Sequence, residues 1–314
     1  MKINPNIPFS YLKLYLTARS DIFLPPFPGS AFRGAFGASL RKACCTIDDQ
    51  ECAVCMLKPS CIYAMVFETD HSHVQKEGYH LSDFPRPFII EPEFPCQEHL
   101  KPGDMFTCNF LLMGMSIVYL PYFVNAFINI GRLGLGKERG LYHVNQITDL
   151  LADQELQIFD GKSYTFIKPP QQWQLNTLPI CHHSKEKITL IFDSPTRIKY
   201  QNRLTKELSF ELFMKNLLRR MGLLAQLCND TTWNPDFKSI LDQAKHVTLQ
   251  QSNLYWYDWK RYSFRQQNHM KLGGFMGDIT FCGPLQQFIP FIAAGHYIHI
   301  GKACTFGLGK YQMI

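Results

Sequence analysis

The 314-residue chain lacks several features that would assign it quickly. Its N-terminus, MKINPNIPFSYLKLYL, has neither a clean apolar run nor a small-residue cleavage site, so no secretory signal is read there. No low-complexity tract occurs. No Ser-His-Asp arrangement and no paired-carboxylate cluster stands out, which argues against a serine hydrolase and against two-metal hydrolysis. No histidine precedes His71. The charge-free stretch 105–131 is interrupted by Asn109, Gly114, Ser116, Pro121, Asn125 and Asn129. It reads as a buried strand, a loop and a helix opening at Pro121 rather than as a membrane span.

What is present fits a two-domain globular protein, since 46% of residues are apolar and 14% aromatic, enough for a core in each half. The net charge of +6 and isoelectric point near 8.7 admit a polyanionic partner without requiring one. Eleven cysteines without a signal point to reduced thiols in the cytoplasm. Five of them fall within 44–61, and Cys45, Cys52, Cys55 and Cys61 are spaced C-x6-C-x2-C-x5-C. Four thiolates complete a closed tetrahedral site, so this spacing predicts a structural zinc, with an iron–sulfur cluster as the softer alternative. Cys44 can replace Cys45, and His71 and His73 are spare ligands.

Gly-Leu-Gly-Lys occurs twice, at 134–137 and at 307–310. Each copy follows an apolar helical run and precedes a short strand-like tail, LYHV (141–144) and YQMI (311–314), which suggests one supersecondary unit used twice. The first copy also satisfies G-x-x-x-x-G-K, but Glu138 stands where a P-loop needs Ser or Thr, and a helix precedes it instead of a strand. Helices are expected over 30–44, 121–131 and 209–228. Strands are expected over 10–18, 106–113, 156–167 and 187–200, in GDITFCG and in YIHIGK, giving an α+β protein. The Pro- and Gln-rich stretch 167–187 separates a first domain, 1–170, from a second, 185–314. Gly307, Gly309, Lys137, Arg139, Lys302 and Lys310 form glycine loops with basic flanks suited to a phosphate backbone. The stretch 255–271 interleaves Trp256, Trp259, Tyr262 and Phe264 with Lys260, Arg261, Arg265 and Lys271, and 194–206 adds Arg197, Lys199, Arg203 and Lys206. These mixtures suit unpaired bases and phosphates, or equally a hairpin with a solvated basic edge. His299, beside Lys302, is a candidate general acid or base, or else one polar position on a strand between Ile298 and Ile300.

Residues 261–314 closely resemble the C-terminal signature of the CRISPR precursor-RNA processing endoribonucleases, a RAMP-superfamily group. The signature is carried by Arg261, Ser263, Arg265, Gln266, Gly273, Gly274, Gly277, His299, Gly301, Lys302, Phe306, Gly307, Gly309, Lys310 and Tyr311. Residues 29–68 look like the branch with an N-terminal cysteine cluster, and SPTRIKYQNRL fits the start of its second domain. The resemblance implies tandem ferredoxin-like domains, each ending in a glycine-rich loop. It implies CRISPR repeat RNA as substrate, other CRISPR effector subunits as partners, and no membrane. It also implies metal-independent attack by the 2′-hydroxyl, leaving a 2′,3′-cyclic phosphate. On that basis His299, Lys302 and Tyr262 are the expected catalytic residues. Arg33, Lys137, Arg139, Arg197, Arg261, Arg265, Gly307, Gly309 and Lys310 are the expected RNA contacts. Relatives place a histidine in the first helix, whereas 30–44 contains none, so a non-cutting RNA-binding subunit is the alternative.

Overall fold

The structure is a computed structural model describing residues 3–47, 51–68, 85–152, 154–179, 186–228, 230, 232–263 and 268–314. Two compact units emerge, one of residues 9–172 and the other of residues 1–8 with 173–314.

The first unit contains β1 (Pro8–Ala18), β2 (Ile22–Phe23), α1 (Gly29–Cys44), β3 (Phe88–Pro92), β4 (His99–Leu100), β5 (Met105–Met113), α2 (Leu120–Leu133), β6 (Tyr142–Asp149), β7 (Leu156–Asp160) and β8 (Thr165–Phe166). Strand β1 alternates from Tyr11 to Ala18. Leu12, Leu14, Leu16 and Ala18 are buried, while Tyr11, Lys13, Tyr15 and Thr17 are half-buried, as a sheet covered on one face requires. Helix α1 buries Phe32, Phe36 and Leu40 at four-residue spacing, and α2 buries Leu120, Phe123, Val124, Phe127 and Ile130. Phe36 sits among the rings of Phe67, Phe88, Phe110, Phe123 and Phe127, with centroids 5.1–5.7 Å away. The stretch Gly114–Leu133 is long and apolar enough to cross a membrane, yet about half of it is buried inside the fold, as expected of a core helix. The sheet runs β3-β5-β1-β6-β7-β8, and β2 pairs with β4 apart from it. The single strand expected over 156–167 is instead β7 and β8, paired across a tight turn.

The second unit contains β9 (Trp173–Gln174), β10 (Lys187–Thr196), β11 (Ile198–Tyr200), β12 (Arg203–Thr205), α3 (Phe210–Leu227), α4 (Phe237–Ala244), β13 (Thr248–Ser252), β14 (Tyr255–Ser263), β15 (Asn268–Cys282), α5 (Ile289–Ile298) and β16 (Tyr311–Met313). Ser209 caps α3, its hydroxyl accepting from the Leu212 N–H at 3.1 Å. Its sheet runs β13-β15-β10-β16, with β14 also paired to β15. The core order β3-β5-β1-β6 of the first unit is repeated strand for strand by β13-β15-β10-β16, and all these pairings are antiparallel. With a helix after the first and third strands of each set, both units are ferredoxin-like.

In both units the glycine loop joins the second sheet-packing helix to the last core strand. In the first, Leu135 and Gly140 exchange backbone hydrogen bonds of 2.8 and 2.9 Å, closing a turn in which Gly134 and Gly136 have positive φ. In the second, the Ile300 N–H donates to the Gly309 carbonyl at 2.9 Å, and the Gly309 N–H donates to Pro195 at 3.2 Å. The expected YIHIGK strand is not one, because α5 continues to Ile298 and the chain then turns at His299, whose φ is +61°. Arg220, itself buried, donates from Nε to the Ile298 carbonyl at 2.6 Å and satisfies the C-terminal end of α5.

Gly309 has φ +78°, and a Cβ there would run into the Ile300 carbonyl. Gly309→Ala is therefore expected to lower stability by about 2 kcal/mol or more. Gly34, exposed in the middle of α1 with nothing within 4 Å of an added Cβ, is the opposite case. Gly34→Ala should raise stability by roughly 0.5–1 kcal/mol. Urea unfolding midpoints check both, and equal effects would contradict this reading of the loop.

Candidate nucleic-acid interface

The second glycine loop lies against the end of β10 and the hairpin that follows it. The Lys302 N–H donates to the Arg197 carbonyl at 2.9 Å, and the Lys310 N–H donates to Ser194 Oγ at 2.9 Å. Arg197 in turn donates from Nη1 to the Gly273 carbonyl on β15. Gly274 faces Thr196 where the β10–β15 register shifts, so no side chain obstructs that irregular stretch. The backbone thus ties Arg197, Lys302 and Lys310 into one assembly. Lys302 is exposed, while Arg197 and Lys310 are half-buried.

The β11–β12 hairpin projects from the same assembly. Its tip residues Gln201 and Asn202 have positive φ, which permits the two-residue turn. Tyr200 is 56% exposed, and Lys199 and Arg203 are also exposed, so the hairpin presents one aromatic ring with two cations. The basic segment 194–206 takes its hairpin form with the aromatic exposed.

His299 is placed differently from expectation. Its ring is fully buried, with Nδ1 3.0 Å from the Leu308 carbonyl, and its backbone N–H donates to Gly295 at 2.8 Å. It faces the interior of the loop between two other buried residues, Ile298 and Ile300. Cys304, also buried, has its thiol pushed above its ordinary value by burial, partly opposed by the charge of Arg220. Gly307 and Gly309 are buried as well and serve the loop through backbone conformation.

The aromatic stretch at β14 splits. Trp259 is buried, contrary to its expected place in a stacking surface, whereas Tyr255 and Trp256 are partly exposed. Trp256 Nε1 donates to Asp258 at 2.8 Å. Arg261 and Tyr262 lie on β14 opposite Met270 and His269, with side chains outside the described set. Phe264 and Arg265 lie outside the described residues, as do His71 and His73. In the first unit Lys137 and Arg139 are exposed on the glycine turn, and the half-buried Arg33 lies over the Phe67 ring at 4.7 Å.

Cys45, Cys52, Cys55 and Cys61 face a single cavity of about 20 Å³, bordered also by Arg41, Lys58 and Tyr63. Among the described residues, however, no three His, Cys, Asp or Glu side chains stand close enough to hold one ion, so the expected four-thiolate centre is not preassembled. Burial pushes the Cys44 thiol up to about 11, with the neighbouring Cys61 adding to it. Burial also raises Cys52, and Arg41 opposes that.

Residues 190–311 match the family model described as CRISPR-associated endoribonuclease Cas6, and residues 7–171 match the AF_1859_N model, described as an N-terminal domain. An uncharacterized protein of Archaeoglobus fulgidus is 30% identical over 140 residues, and the match spans only 45% of that relative's length and 45% of this chain. Among solved structures, a Cas6 product complex superposes with a TM-score of 0.59 at 15% identity, covering 98% of this chain and 100% of that one. Thermus thermophilus Cas6 gives 0.55 at 12% identity, covering 98% and 99%. A partial Cas6-RT-Cas1–Cas2 complex gives 0.57 at 14% identity, covering 99% of this chain and 47% of that one. At these identities the structural likeness speaks for the fold, and the family model speaks for the segment that carries the second glycine loop. Residues 190–311 thus form a domain of the CRISPR-associated endoribonuclease Cas6 family, on a fold shared with Cas6 structures over the whole chain.

Proposed function

We propose that the chain binds CRISPR repeat RNA and cuts it, producing guide RNA from the precursor transcript. The observation that carries this reading is the Cas6 model match over 190–311, which includes the loop and hairpin assembly described above. Exposed Lys302, with Arg197, Lys199, Arg203 and Lys310 around it, supplies cations for the phosphate backbone, and Tyr200 supplies a ring for an unpaired base. The exposed Lys137 and Arg139 do the same on the first unit.

The reaction we propose needs no metal. The 2′-oxygen bonds to the adjacent phosphorus, the bond to the 5′-oxygen breaks, and the proton lost from the 2′-hydroxyl is balanced by one delivered to the leaving oxygen. The products are a 2′,3′-cyclic phosphate and a 5′-hydroxyl. Lys302 is assigned to the negative charge of the phosphorane. We assign His299, whose buried ring lies 3.0 Å from the Leu308 carbonyl, to holding the loop rather than to proton transfer. Tyr262 is retained as a proton carrier, although an ordinary tyrosine pKa of about 10 makes it a slow base near neutrality. Other CRISPR proteins are proposed as partners.

The test is cleavage of repeat RNA in EDTA, beside the same RNA carrying one 2′-deoxy nucleotide at the cut site. Cutting of the first and survival of the second is the expected result. Tight binding with neither RNA cut would contradict processing. Lys302→Gln should slow single-turnover cleavage by about 100-fold, the usual loss for one group that stabilises transition-state charge. An unchanged rate would remove Lys302 from the reaction.

We also propose a structural zinc at Cys45, Cys52, Cys55 and Cys61. Their shared cavity and thiol chemistry support it, and the ion would draw the side chains together. Metal analysis of purified protein should find about one zinc per chain, lost in Cys55→Ser. Metal-free protein with an unaltered melting temperature would contradict it.

A further inference from the structure

The aromatic and basic stretch of β14 contributes a ring that the loop and hairpin assembly does not use. Trp256 and Asp258 are two residues apart on β14 and so share one face of the strand. Asp258 stands directly opposite Gly273 on β15, which puts Trp256 on the diagonal from that glycine, within reach of a large side chain. A Cβ on Gly273 would lie 2.6 Å from Trp256 Nε1 and 2.8 Å from Cε2. The pyrrole side of the indole therefore fills the space where a side chain at 273 would stand. The indole N–H donates to Asp258 Oδ1 at 2.8 Å. These two contacts hold the ring against the sheet, and still 37% of Trp256 is exposed, with Asp258 exposed beside it.

The same glycine ties this ring to the loop. The Gly273 carbonyl accepts from Arg197 Nη1 at 2.5 Å, and the Arg197 carbonyl accepts from the Lys302 N–H at 2.9 Å. The indole and the Arg197 guanidinium thus meet at one residue. A ring beside a fixed cation is the pairing that single-stranded nucleic acid uses, a π face for the base and positive charge for the backbone. A tryptophan that only covered a sheet glycine would need no cation at that glycine. Asp258 occupies the indole donor and carries negative charge. The ring therefore offers its face rather than a hydrogen bond, and the backbone is directed to the Arg197 side. Such stacking accepts any base, because every base has a π face.

We propose that Trp256 is a base-stacking platform for single-stranded RNA, with Arg197 holding the adjoining phosphate. The inference rests on the reading of the chain as an RNA-binding protein and adds a contact to it beyond the loop and the β11–β12 hairpin. The platform is indifferent to base identity and extends the RNA face onto β14.

The experiment measures binding of two fluorescent single-stranded probes by the full chain across a salt series. One is oligoadenylate, and the other is an abasic ribose-phosphate oligomer of the same length. Trp256→Ala should weaken oligoadenylate binding roughly 10-fold, within the usual range for one stacked base. The slope of log affinity against log salt should stay as it is, because no charge is removed. Binding of the abasic oligomer should be unaltered. Trp256→Phe should recover most of the lost affinity, since a ring remains. Arg197→Gln should flatten the slope by about 0.7 on both probes. Unchanged oligoadenylate affinity in Trp256→Ala, or an equal loss on both probes, overturns the platform while wild-type binding stands. If Trp256→Ala fails to fold, N-bromosuccinimide oxidation of the wild-type chain saturated with each probe decides, with the buried Trp259 as internal reference. Oligoadenylate should protect Trp256 several-fold more than the abasic oligomer does, and equal protection overturns the proposal. A wild-type chain that binds repeat RNA but not oligoadenylate overturns a base-indifferent platform. One that binds neither overturns the RNA reading itself.

Discussion

The C-terminal unit depends on a close crossing of two backbone segments. Its last strand must return beside β10 in the space where α5 ends, and residues 299–310 have to make that return within a few ångströms. Gly309 passes against Ile300 with no room for a side chain, and Leu308 turns its carbonyl to the buried ring of His299. Arg220 holds the end of α5 from below, and Ser194 and Pro195 hold the loop from β10. Once that crossing is closed, the chain on either side has little freedom. Lys302 leaves the loop on the solvent side because its backbone is fixed to Arg197. The backbone of a surface cation is thereby positioned by a buried network.

The same constraint explains the duplication. A ferredoxin-like unit ends by bringing its second helix back to the centre of the sheet, and a turn of glycines is a compact way to do so. The first unit solves it with the Leu135–Gly140 turn, shorter and more exposed, with Lys137 and Arg139 at its tip. Each repeat of the fold thus offers cations at the corresponding place, one set on a small turn and the other on a larger loop backed by a hairpin. The cluster around Phe67 has no counterpart in that duplication. It arises from the segment between α1 and β3, which also carries the cysteines.

Much of this was readable in the amino-acid order. The alternation in β1 and the four-residue spacing of Phe32, Phe36 and Leu40 fix their elements locally, and the repeated glycines announced the two equivalent turns. YIHIGK misled because Ile298, His299 and Ile300 look like strand alternation. All three are buried, and the positive φ of His299 follows from the packing of the loop, which sequence does not display. Trp259 reads as a stacking ring beside Lys260 and Arg261, but tertiary packing takes it inside. Cys45, Cys52, Cys55 and Cys61 line one cavity without meeting at one point. Arg33 and Phe67 are far apart in the chain, and only tertiary packing sets one over the other. No local pattern could have paired them.

The central claim is that the loop and hairpin of the C-terminal unit form a prearranged face for RNA. Photo-crosslinking of the intact protein to 4-thiouridine-containing repeat RNA, followed by peptide mass spectrometry, tests it most directly. The account predicts crosslinked peptides spanning 197–206 and 301–310, with Tyr200 among the modified residues. RNA-bound protein in which both peptides remain unmodified would contradict it.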